Sequence, residues 1–349
     1  MVAHVTLPTM AARPSARPSL AQTRIIENVL QAAVGFLAER QLPHGEFKTL
    51  AAENAAMTKG CVFDSSPFTT AYVLYSLGFQ QDEHTKIILA KGLKFLQAEM
   101  ETGGLWRYWS SRNAAHSVLP PDLDDTACIS FVLQQYNLAP ANHTVLLANR
   151  RDDGLFYTWL APRETMPARL KTRLRRLTRG SSLPLFSISG TLDNVDPAVN
   201  ANILLYLGER EETRPVIAYL VKAIQDADSQ NDSYYADSLV FYYLISRAFH
   251  QGIRSLAETR QTILHALSAR RSSNGSFGNE LLTALAVCTW LNFDGSRSPL
   301  VDSIRYLLRM QRKSGAWRAL PMWLGPAPYY GSEELTTALC MEGLARYIS

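Results

Sequence analysis

The sequence lacks a long apolar run. No stretch approaches 18 consecutive apolar residues, so the sequence predicts no helix that crosses a membrane. Cysteine is scarce, with four residues in a chain of 349. The four cysteines lie far apart, and none forms a Cys-x-x-Cys pair or a Cys/His pair at the spacing of metal ligands. We therefore expect a cytoplasmic protein with buried, reduced thiols and no resident metal.

A strong overall charge is also absent. The formal net charge is +4, but residues 163–179 alone hold seven Arg and Lys residues against one Glu, which leaves −2 for the rest of the chain. A general nucleic-acid binder would spread its basic residues over a face, so we expect a near-neutral body with one basic insertion and no nucleic-acid partner. Residues 1–24 contain arginine, no acid and no apolar core of a secretion signal, and they are predicted to form a disordered tail.

A Gly-x-aromatic signature recurs along the chain. In two copies a Gln stands four residues before the Gly, as Gln41 before Gly45 and Gln311 before Gly315. Further copies end at Trp106, Phe156 and Phe277. An amphipathic helical pattern precedes each copy and a more apolar run follows it, so each copy connects two predicted helices.

The apolar runs align on one small residue in each of six repeats, with a mean period of about 53 residues. These residues are Ala71, Ala127, Ala201, Ser238, Ala284 and Ala338. Each helix pair alone would leave an apolar face uncovered, so the pairs must stack or close on themselves. Six polar outer helices around six apolar inner ones predict an all-α fold. We expect a single (α/α)6 barrel of six helix-pair repeats over residues 25–349, with the basic insertion at about 161–192.

Polar residues mark the predicted start of each inner helix. Five positions before the small residue stand Ser66, Asp122, Asp196, Ser233, Asn279 and Glu333, of which the first five are preferred helix N-caps. One position before it stand Thr70, Thr126, Asn200, Asp237, Thr283 and Thr337. These lie one turn after the caps, so we expect a second polar ring near the barrel mouth.

The second repeat departs from this pattern at Asp124 and Asp125. Three positions before the small residue the other repeats carry Phe68, Ala198, Tyr235, Leu281 and Leu335, where the second carries Asp124. The helix N-terminus favours ionised Asp122 and Asp125. Asp124 should face a dry interior, where desolvation raises its pKa, so the cluster should retain one proton. An acid kept protonated in an apolar pocket is suited to protonating an alkene or an epoxide.

Two alternatives remain open for these carboxylates. They could merely cap the helix and pair with nearby bases. They could also bind Mg²⁺, although a divalent-ion site would be expected to have a second acidic cluster at ligand spacing, which the sequence does not clearly supply.

Two motifs together resemble the class II terpene cyclase superfamily, which includes squalene-hopene cyclases and bacterial diterpene cyclases. They are the DxDDTA acid motif, present as DLDDTA at residues 122–127, and the Gln-x3-Gly-x-Trp repeat, complete at residues 311–317. The resemblance implies that Asp124 is the general acid and that Asp122 and Asp125 tune and orient it. It also implies a linear isoprenoid substrate and no cofactor, with Mg²⁺ involved only if the substrate is a diphosphate.

The resemblance also implies a cavity lined by aromatic rings, whose faces stabilise carbocations. Phe68 and Tyr235 stand at the Asp124-equivalent position of their repeats, and Trp109 and Tyr234 are further candidates. Polar candidates for substrate binding at the presumed mouth are Asp196, Asn200, Asp237 and Glu333. Trp106 and Trp317 belong to the repeat turns, and we interpret them as structural.

Members of this superfamily usually bind substrate between two barrels, and this chain has one. The insertion at 161–192 could cover the mouth, since Leu170, Leu174 and Leu177 share one helical face among arginines. Its arginines could instead clamp a diphosphate or contact a membrane surface, and a plain solvated loop is a further alternative. A partner subunit could replace the missing barrel.

Two other functions stay open at this point. The barrel could be a carbohydrate-active enzyme with opposed carboxylates. It could also be a non-catalytic binding module, with the acidic cluster solvated and a partner subunit burying the mouth. A zinc-dependent protein prenyltransferase is disfavoured, because no His accompanies the cysteines of the inner helices.

Overall fold

The computed structural model describes residues 18–162, 166, 168–177, 193–226, 234–235, 237–323 and 327–349. Within these residues, six helices form an inner ring: α2 (Pro67–Leu77), α4 (Leu123–Gln135), α7 (Pro197–Leu207), α9 (Ser238–His250), α11 (Glu280–Phe293) and α13 (Glu333–Ile348). Each inner helix packs on the next in chain order, and α13 packs back on α2, so the ring is closed.

The outer layer consists of α1 (Leu20–Arg40), α3 (Glu83–Ala98), the short α5 (His143–Leu147), α8 (Arg214–Gln225), α10 (Arg260–Arg270) and α12 (Val301–Met310). Short 3-10 turns at Glu211–Thr213, Arg254–Thr259 and Ser298–Leu300 lead into the last three. The predicted α/α barrel is confirmed.

Burial explains why the two layers differ in sequence. Every residue of α2 and of α7 is buried, so these helices are apolar all round and show no preferred face. The outer α12 instead buries Ile304 and Leu307 and exposes Asp302 and Arg305. The inner helices therefore form the centre of the core, and the outer helices cover it with one apolar stripe each.

Polar side chains cap the inner helices, in four cases as the sequence predicts. Ser66, Asp122, Asp196 and Asn279 each accept a hydrogen bond from a backbone N–H of the first turn. The other two helices differ, because α9 is capped by Asp237 and α13 by Ser332, one residue before Glu333. The helix α9 therefore begins later than the repeat alignment predicts. The predicted cap Ser233 lies outside the described residues.

The second polar ring ties each repeat turn to its own inner helix. In five repeats the backbone N–H of the turn aromatic donates to a buried side chain on that helix: Phe47 to Thr70 (2.9 Å), Trp106 to Thr126 (3.1 Å), Phe156 to Asn200 (3.0 Å), Phe277 to Thr283 (3.0 Å) and Trp317 to Thr337 (3.1 Å). These side chains lie in the first turns of the inner helices and satisfy backbone donors that would otherwise be buried without a partner.

The Gln and Gly of the repeat turn join neighbouring outer helices. The Gln311 amide donates to the backbone oxygen of Val29 on α1 at 2.9 Å, and the Gln41 amide donates to Ile88 on α3 at 3.0 Å. Gly315 has a φ of +85°, and a Cβ there would lie 2.3 Å from the backbone oxygen of Ala32. Only glycine fits this approach, which explains its place in the motif.

A four-stranded antiparallel sheet, which the all-α prediction does not include, joins the first and last repeats. Its strands are β1 (Leu50–Ala52), β2 (Val62–Phe63), β3 (Leu320–Trp323) and β4 (Tyr329–Ser332), in the order β2-β1-β4-β3. Leu50 pairs with Gly331 and Ala51 with Tyr330. The sheet connects the turns that precede α2 and α13, so it lies where these inner helices begin.

Other expectations are only partly met. Helix α1 begins at Leu20, so the predicted disordered segment 1–24 is too long at its C-terminal end, and residues 1–17 lie outside the described residues. Three cysteines are buried, but Cys61 is exposed, contrary to the prediction. In the described part of the chain, no helix is long and apolar enough to cross a bilayer.

The basic insertion contains helix α6 (Ala168–Leu177). Leu174 is completely buried in the main core, so this leucine of the predicted apolar face packs against the protein. The side chains of Leu170 and Leu177, and residues 178–192, lie outside the described residues.

Candidate active site

A cavity of about 290 Å³ lies at the end of the barrel where the inner helices begin. Its wall comes from the first turns of α2, α4 and α7, the segment before α9, the loops after Trp106 and Phe156, and the sheet. The lining residues are Phe68, Tyr108, Trp109, Val118, Leu119, Asp122, Asp124, Asp125, Thr158, Trp159, Val199, Tyr234, Tyr235, Trp323, Pro328 and Tyr330.

Asp124 occupies the second position of α4 and keeps partial exposure on the cavity wall. Its Oδ1 accepts a hydrogen bond from Asn202 Nδ2 at 2.7 Å, and its Oδ2 accepts one from the Tyr235 hydroxyl at 2.9 Å. Two donors from different repeats therefore hold one carboxyl group at the cavity surface.

Opposing effects act on the pKa of Asp124. Burial raises the pKa above its usual value, while the hydrogen bonds from Asn202 and Tyr235 and the positive charge of Arg247 lower it. The net direction is upward. Asp124 is thus a carboxyl group that burial favours in the protonated form, with two donors ready to stabilise the carboxylate once the proton has left.

Asp122 and Asp125 form a second, more deeply buried carboxyl pair, 4% and 3% exposed. Asp122 Oδ1 accepts a hydrogen bond from the backbone N–H of Asp125 at 2.8 Å. Burial raises the pKa of Asp122 to about 6. Burial and the neighbouring Asp122 raise the pKa of Asp125 well above its usual range. Two buried carboxyl groups this close resist double ionisation, so both hold their protons to a higher pH than free aspartates do. This direction is opposite to the one that the helix N-terminus alone predicts for the two residues.

Eight aromatic side chains surround the rest of the cavity. Phe68 packs edge-on against Trp323, with ring centroids 5.2 Å apart, and Tyr108 packs against Tyr330 at 5.6 Å. Trp323 Nε1 donates to the Tyr108 hydroxyl at 3.1 Å, which ties β3 to the loop of the second repeat. The wall is therefore assembled from repeats one, two and six through aromatic contacts.

Trp109 is held beside the cavity by a half-buried polar anchor. Its Nε1 donates to both oxygens of Asp64, at 3.0 and 2.9 Å, and Asn113 donates to the same carboxylate at 2.7 Å. Burial raises the pKa of Asp64, which these donors partly offset. The anchor positions the indole at the cavity, as the sequence analysis expects of Trp109.

The structure brings seven of the predicted site residues to the cavity. They are the three carboxylic acids Asp122, Asp124 and Asp125 and the four aromatic residues Phe68, Trp109, Tyr234 and Tyr235.

The four polar candidates do not line this cavity. Asp196 is buried as the cap of α7, and Asn200 exchanges hydrogen bonds with the backbone of Phe156, 3.0 Å each. Asp237 caps α9 and pairs with Arg270, and Glu333 pairs with Arg312, each at 2.6 Å. Their side chains are committed to caps, turns and surface ion pairs, so their prediction as substrate-binding residues is corrected.

Several site residues are missed by sequence reasoning. Tyr108, Trp159, Trp323 and Tyr330 come from turns and strands outside the helical repeat, although the aromatic pairs at 108–109 and 329–330 were a usable signal. Asn202 is one residue beyond Ala201, the last position that the repeat comparison considered. No pattern in the sequence connects it to Asp124.

The described residues offer little to a cation or an anion here. Among them, no group of three or more His, Cys, Asp or Glu side chains is arranged so that it could hold a metal ion. The described lining residues include no Lys, Arg or His, and their carboxyl groups all come from the first turn of α4. The cavity is therefore suited to an apolar molecule that contacts the carboxyl groups of α4 on one side.

No family model matches the chain, and no curated protein matches it. Solved structures do resemble it. A protein from Actinoplanes has a TM-score of 0.69 and 16% identity, covering 93% of this chain and 100% of its own. A variant of the type II terpene cyclase MstE from Scytonema, in complex with its substrate geranylgeranyl dihydroxybenzoate, has a TM-score of 0.68 and 17% identity, covering 94% of this chain and 99% of its own.

A more distant structure is that of a possible member of the GH105 family from Salmonella enterica subsp. enterica serovar Paratyphi A. Its TM-score is 0.55 and its identity 12%, covering 100% of this chain and 99% of its own. These likenesses establish a fold like that of the terpene cyclase, which α/α-barrel proteins of other activity share. Function has to be argued from the site.

Proposed function

We propose that the protein is a class II terpene cyclase-like enzyme that protonates a linear isoprenoid with Asp124 and guides the resulting carbocation to a cyclised or isomerised product. The observation that carries this proposal is the position of Asp124, a carboxyl group held by Asn202 and Tyr235 on the wall of an aromatic cavity. The structural likeness to a terpene cyclase supports it.

The chemistry requires a strong acid next to a hydrocarbon. Alkene protonation produces a carbocation and a carboxylate, so the site has to stabilise both charges. Asn202 and Tyr235 donate to the carboxylate, and the aromatic ring faces stabilise the cation by about 0.5 to 2 kcal/mol per contact. Exclusion of water from the cavity protects the cation from early capture.

The Asp122 and Asp125 pair supports the acid. Burial raises the pKa of both carboxyl groups and thereby limits the negative charge beside Asp124, and Asp122 also caps the helix that carries all three. The step involves only transfer of a proton from a side chain, so no cofactor is needed. The proposal includes Mg²⁺ only for a substrate that carries a diphosphate.

The cavity disfavours the carbohydrate-active alternative. Glycoside hydrolysis uses two carboxyl groups that flank the bond to be cleaved. The carboxyl groups of the described lining residues all come from α4, and Asp196, Asp237 and Glu333, which could have opposed them, are engaged elsewhere. Sugar hydroxyls would also find few polar partners on a wall dominated by rings.

The non-catalytic alternative predicts a solvated acidic cluster, whereas Asp122 and Asp125 are buried. The basic insertion remains our proposed cover for the mouth, and the burial of Leu174 supports contact between α6 and the barrel. Peripheral membrane contact of the insertion and a partner subunit at the mouth are alternatives to this cover, and a cytoplasmic location is a further expectation.

The test is incubation of the purified protein with linear isoprenoids of increasing length, with and without a diphosphate, in deuterated water. The products are analysed by gas chromatography and mass spectrometry. We expect a cyclised or isomerised product with one solvent-derived deuterium, and loss of turnover by about 1,000-fold or more in Asp124→Asn. Asp153→Asn changes an exposed aspartate and serves as the control. Equal turnover by Asp124→Asn would contradict the proposal.

A further inference from the structure

Beneath the cavity floor, a buried arginine contacts the residue that holds the acid. Arg247 lies in the last turn of α9 and is 2% exposed. Its Nη2 donates to Asn202 Oδ1 at 2.7 Å, and Asn202 Nδ2 in turn donates to Asp124 Oδ1 at 2.7 Å. A single amide therefore links the guanidinium to the carboxyl group.

The two contacts fix the orientation of the amide. A guanidinium only donates hydrogen bonds, so it must face the Asn202 oxygen, and the amide nitrogen is left to face Asp124. A positive charge at the oxygen end polarises the amide and strengthens its N–H as a donor. The donor is strongest toward an ionised Asp124, which is the state that exists after proton transfer.

The surroundings of Arg247 hold its charge in place without neutralising it. Its Cζ lies 5.1 Å from the ring centroids of Tyr72 and Tyr75 and 5.4 Å from that of Tyr243. Within the described part of the chain, no carboxylate lies within 4.0 Å of the guanidinium. Arginine stays charged at all accessible pH values, so its field is available to Asp124.

A second buried arginine of the barrel lacks this arrangement. Arg346 pairs with Glu342 at 3.1 Å, and Glu342 also accepts the hydroxyl of Tyr243 at 2.8 Å. The charge of Glu342 is thus neutralised by Arg346. Of the two buried arginines, Arg247 is the one whose charge is directed toward Asp124.

We propose that Arg247 is a positioning residue that sets the acid strength of Asp124 through the amide of Asn202. The proposal rests on the proposed function of Asp124 as general acid and deepens it. Proton transfer to an alkene creates a carboxylate in a dry site, and Arg247 stabilises that carboxylate through Asn202. The resulting acid is stronger than burial alone would allow.

Other titratable groups also face Asp124 and enter the interpretation of any titration. They are Asp122, Asp125 and Cys128 on its own helix, Tyr72 on α2, and Tyr234 and Tyr235 before α9. None of these groups can carry a positive charge. Among the groups named here, the positive charge that acts on Asp124 is therefore that of Arg247.

The first experiment needs no substrate. The protein is labelled with ¹³C at the aspartate carboxyl groups, and the Asp124 resonance is identified by its absence in Asp124→Asn. We expect Arg247→Met to raise the pKa of Asp124 by about one unit relative to wild type. Asn202→Leu should raise it as well, Arg247→Lys should keep it near the wild-type value, and Arg254→Met, at an exposed arginine over Phe249, should leave it unchanged.

The second experiment is the pH dependence of turnover. The reaction requires protonated Asp124, so activity falls as the pH rises through its pKa. In Arg247→Met the alkaline limb should move up by about one pH unit, while the plateau rate falls about 3- to 10-fold because the acid is weaker. A merely structural role would lower the rate without moving the limb.

An unchanged or lower Asp124 pKa in Arg247→Met would overturn the proposal, even if Asn202→Leu, which removes a direct donor to Asp124, raises it. If wild type turns over no isoprenoid but the titration of Arg247→Met shifts as expected, the proposed function fails and the link between Arg247 and Asp124 stands. If Arg247→Met does not fold, Arg247→Gln, which also removes the positive charge, replaces it in the same titration.

Discussion

Substitution of Asp125 by Asn should stabilise the protein, and by an amount that grows with pH. Asp125 is 3% exposed, its Oδ1 has no hydrogen-bond partner, and burial and Asp122 raise its pKa well above the usual range. An Asn at this position resembles the protonated acid, and its amide can donate to Asp122. The variant therefore removes the cost of keeping a proton on Asp125.

The sign follows from the direction of the pKa change. A group whose pKa is higher in the folded than in the unfolded state contributes to the free energy of unfolding. The contribution is fully present when the pH is below the unfolded pKa, and it is lost as the pH rises through the folded pKa. Unfolded Asp125 titrates near pH 3.9. Between the unfolded pKa and the raised folded pKa, Asp125 is protonated in the folded state and ionised in the unfolded state. In that pH window wild type loses about 1.4 kcal/mol of unfolding free energy per pH unit through this residue.

The free energy of unfolding of Asp125→Asn minus that of wild type should thus grow by about 1.4 kcal/mol per pH unit above the unfolded pKa, and it should level off once the folded pKa is reached. Urea denaturation at half-unit pH steps measures this difference, and subtraction cancels the titrating groups that do not interact with Asp125. A difference that does not change with pH would contradict the raised pKa of Asp125 in the folded protein.

Two further predictions concern the repeat turn and the cavity wall. Gly315→Ala should lower the free energy of unfolding by about 2 kcal/mol or more, because the residue has a φ of +85° and its Cβ would lie 2.3 Å from a backbone oxygen. Gly208→Ala, at a φ of +78° with open space around the Cβ, should lower it by about 1 kcal/mol. Equal losses in urea denaturation would show that the close approach at Gly315 does not matter. Trp323→Leu should lower kcat/KM about 2- to 30-fold and increase the share of early-terminated products, whereas Trp323→Phe keeps a ring face and should retain most activity. Gas chromatography and mass spectrometry measure the products. An unchanged product ratio in Trp323→Leu would exclude the Trp323 ring from carbocation stabilisation.

The fold could be predicted from the sequence where the same pattern recurs along the chain. The caps Ser66, Asp122, Asp196 and Asn279, and the Gln and Gly of the turns, perform local tasks that recur in several repeats. Such tasks impose a residue type at a fixed spacing. The alignment failed at α9, where Asp237 rather than an earlier residue begins the helix. There the polar segment before the helix carries little periodic signal, so the helix start could be placed only from the coordinates.

The sequence by itself determined the six-repeat barrel and singled out Asp124, because a carboxyl group at a position that is apolar or aromatic in the other five repeats has no structural reason within one repeat. Only the tertiary structure decided its partners. Asn202, Tyr235 and Arg247 come from other repeats, and ring closure brings them to Asp124 or its neighbour, just as the sheet of repeats one and six brings Trp323 and Tyr330 to the cavity. Periodicity reports which face of a helix is buried, and it carries no information about which distant side chains meet there.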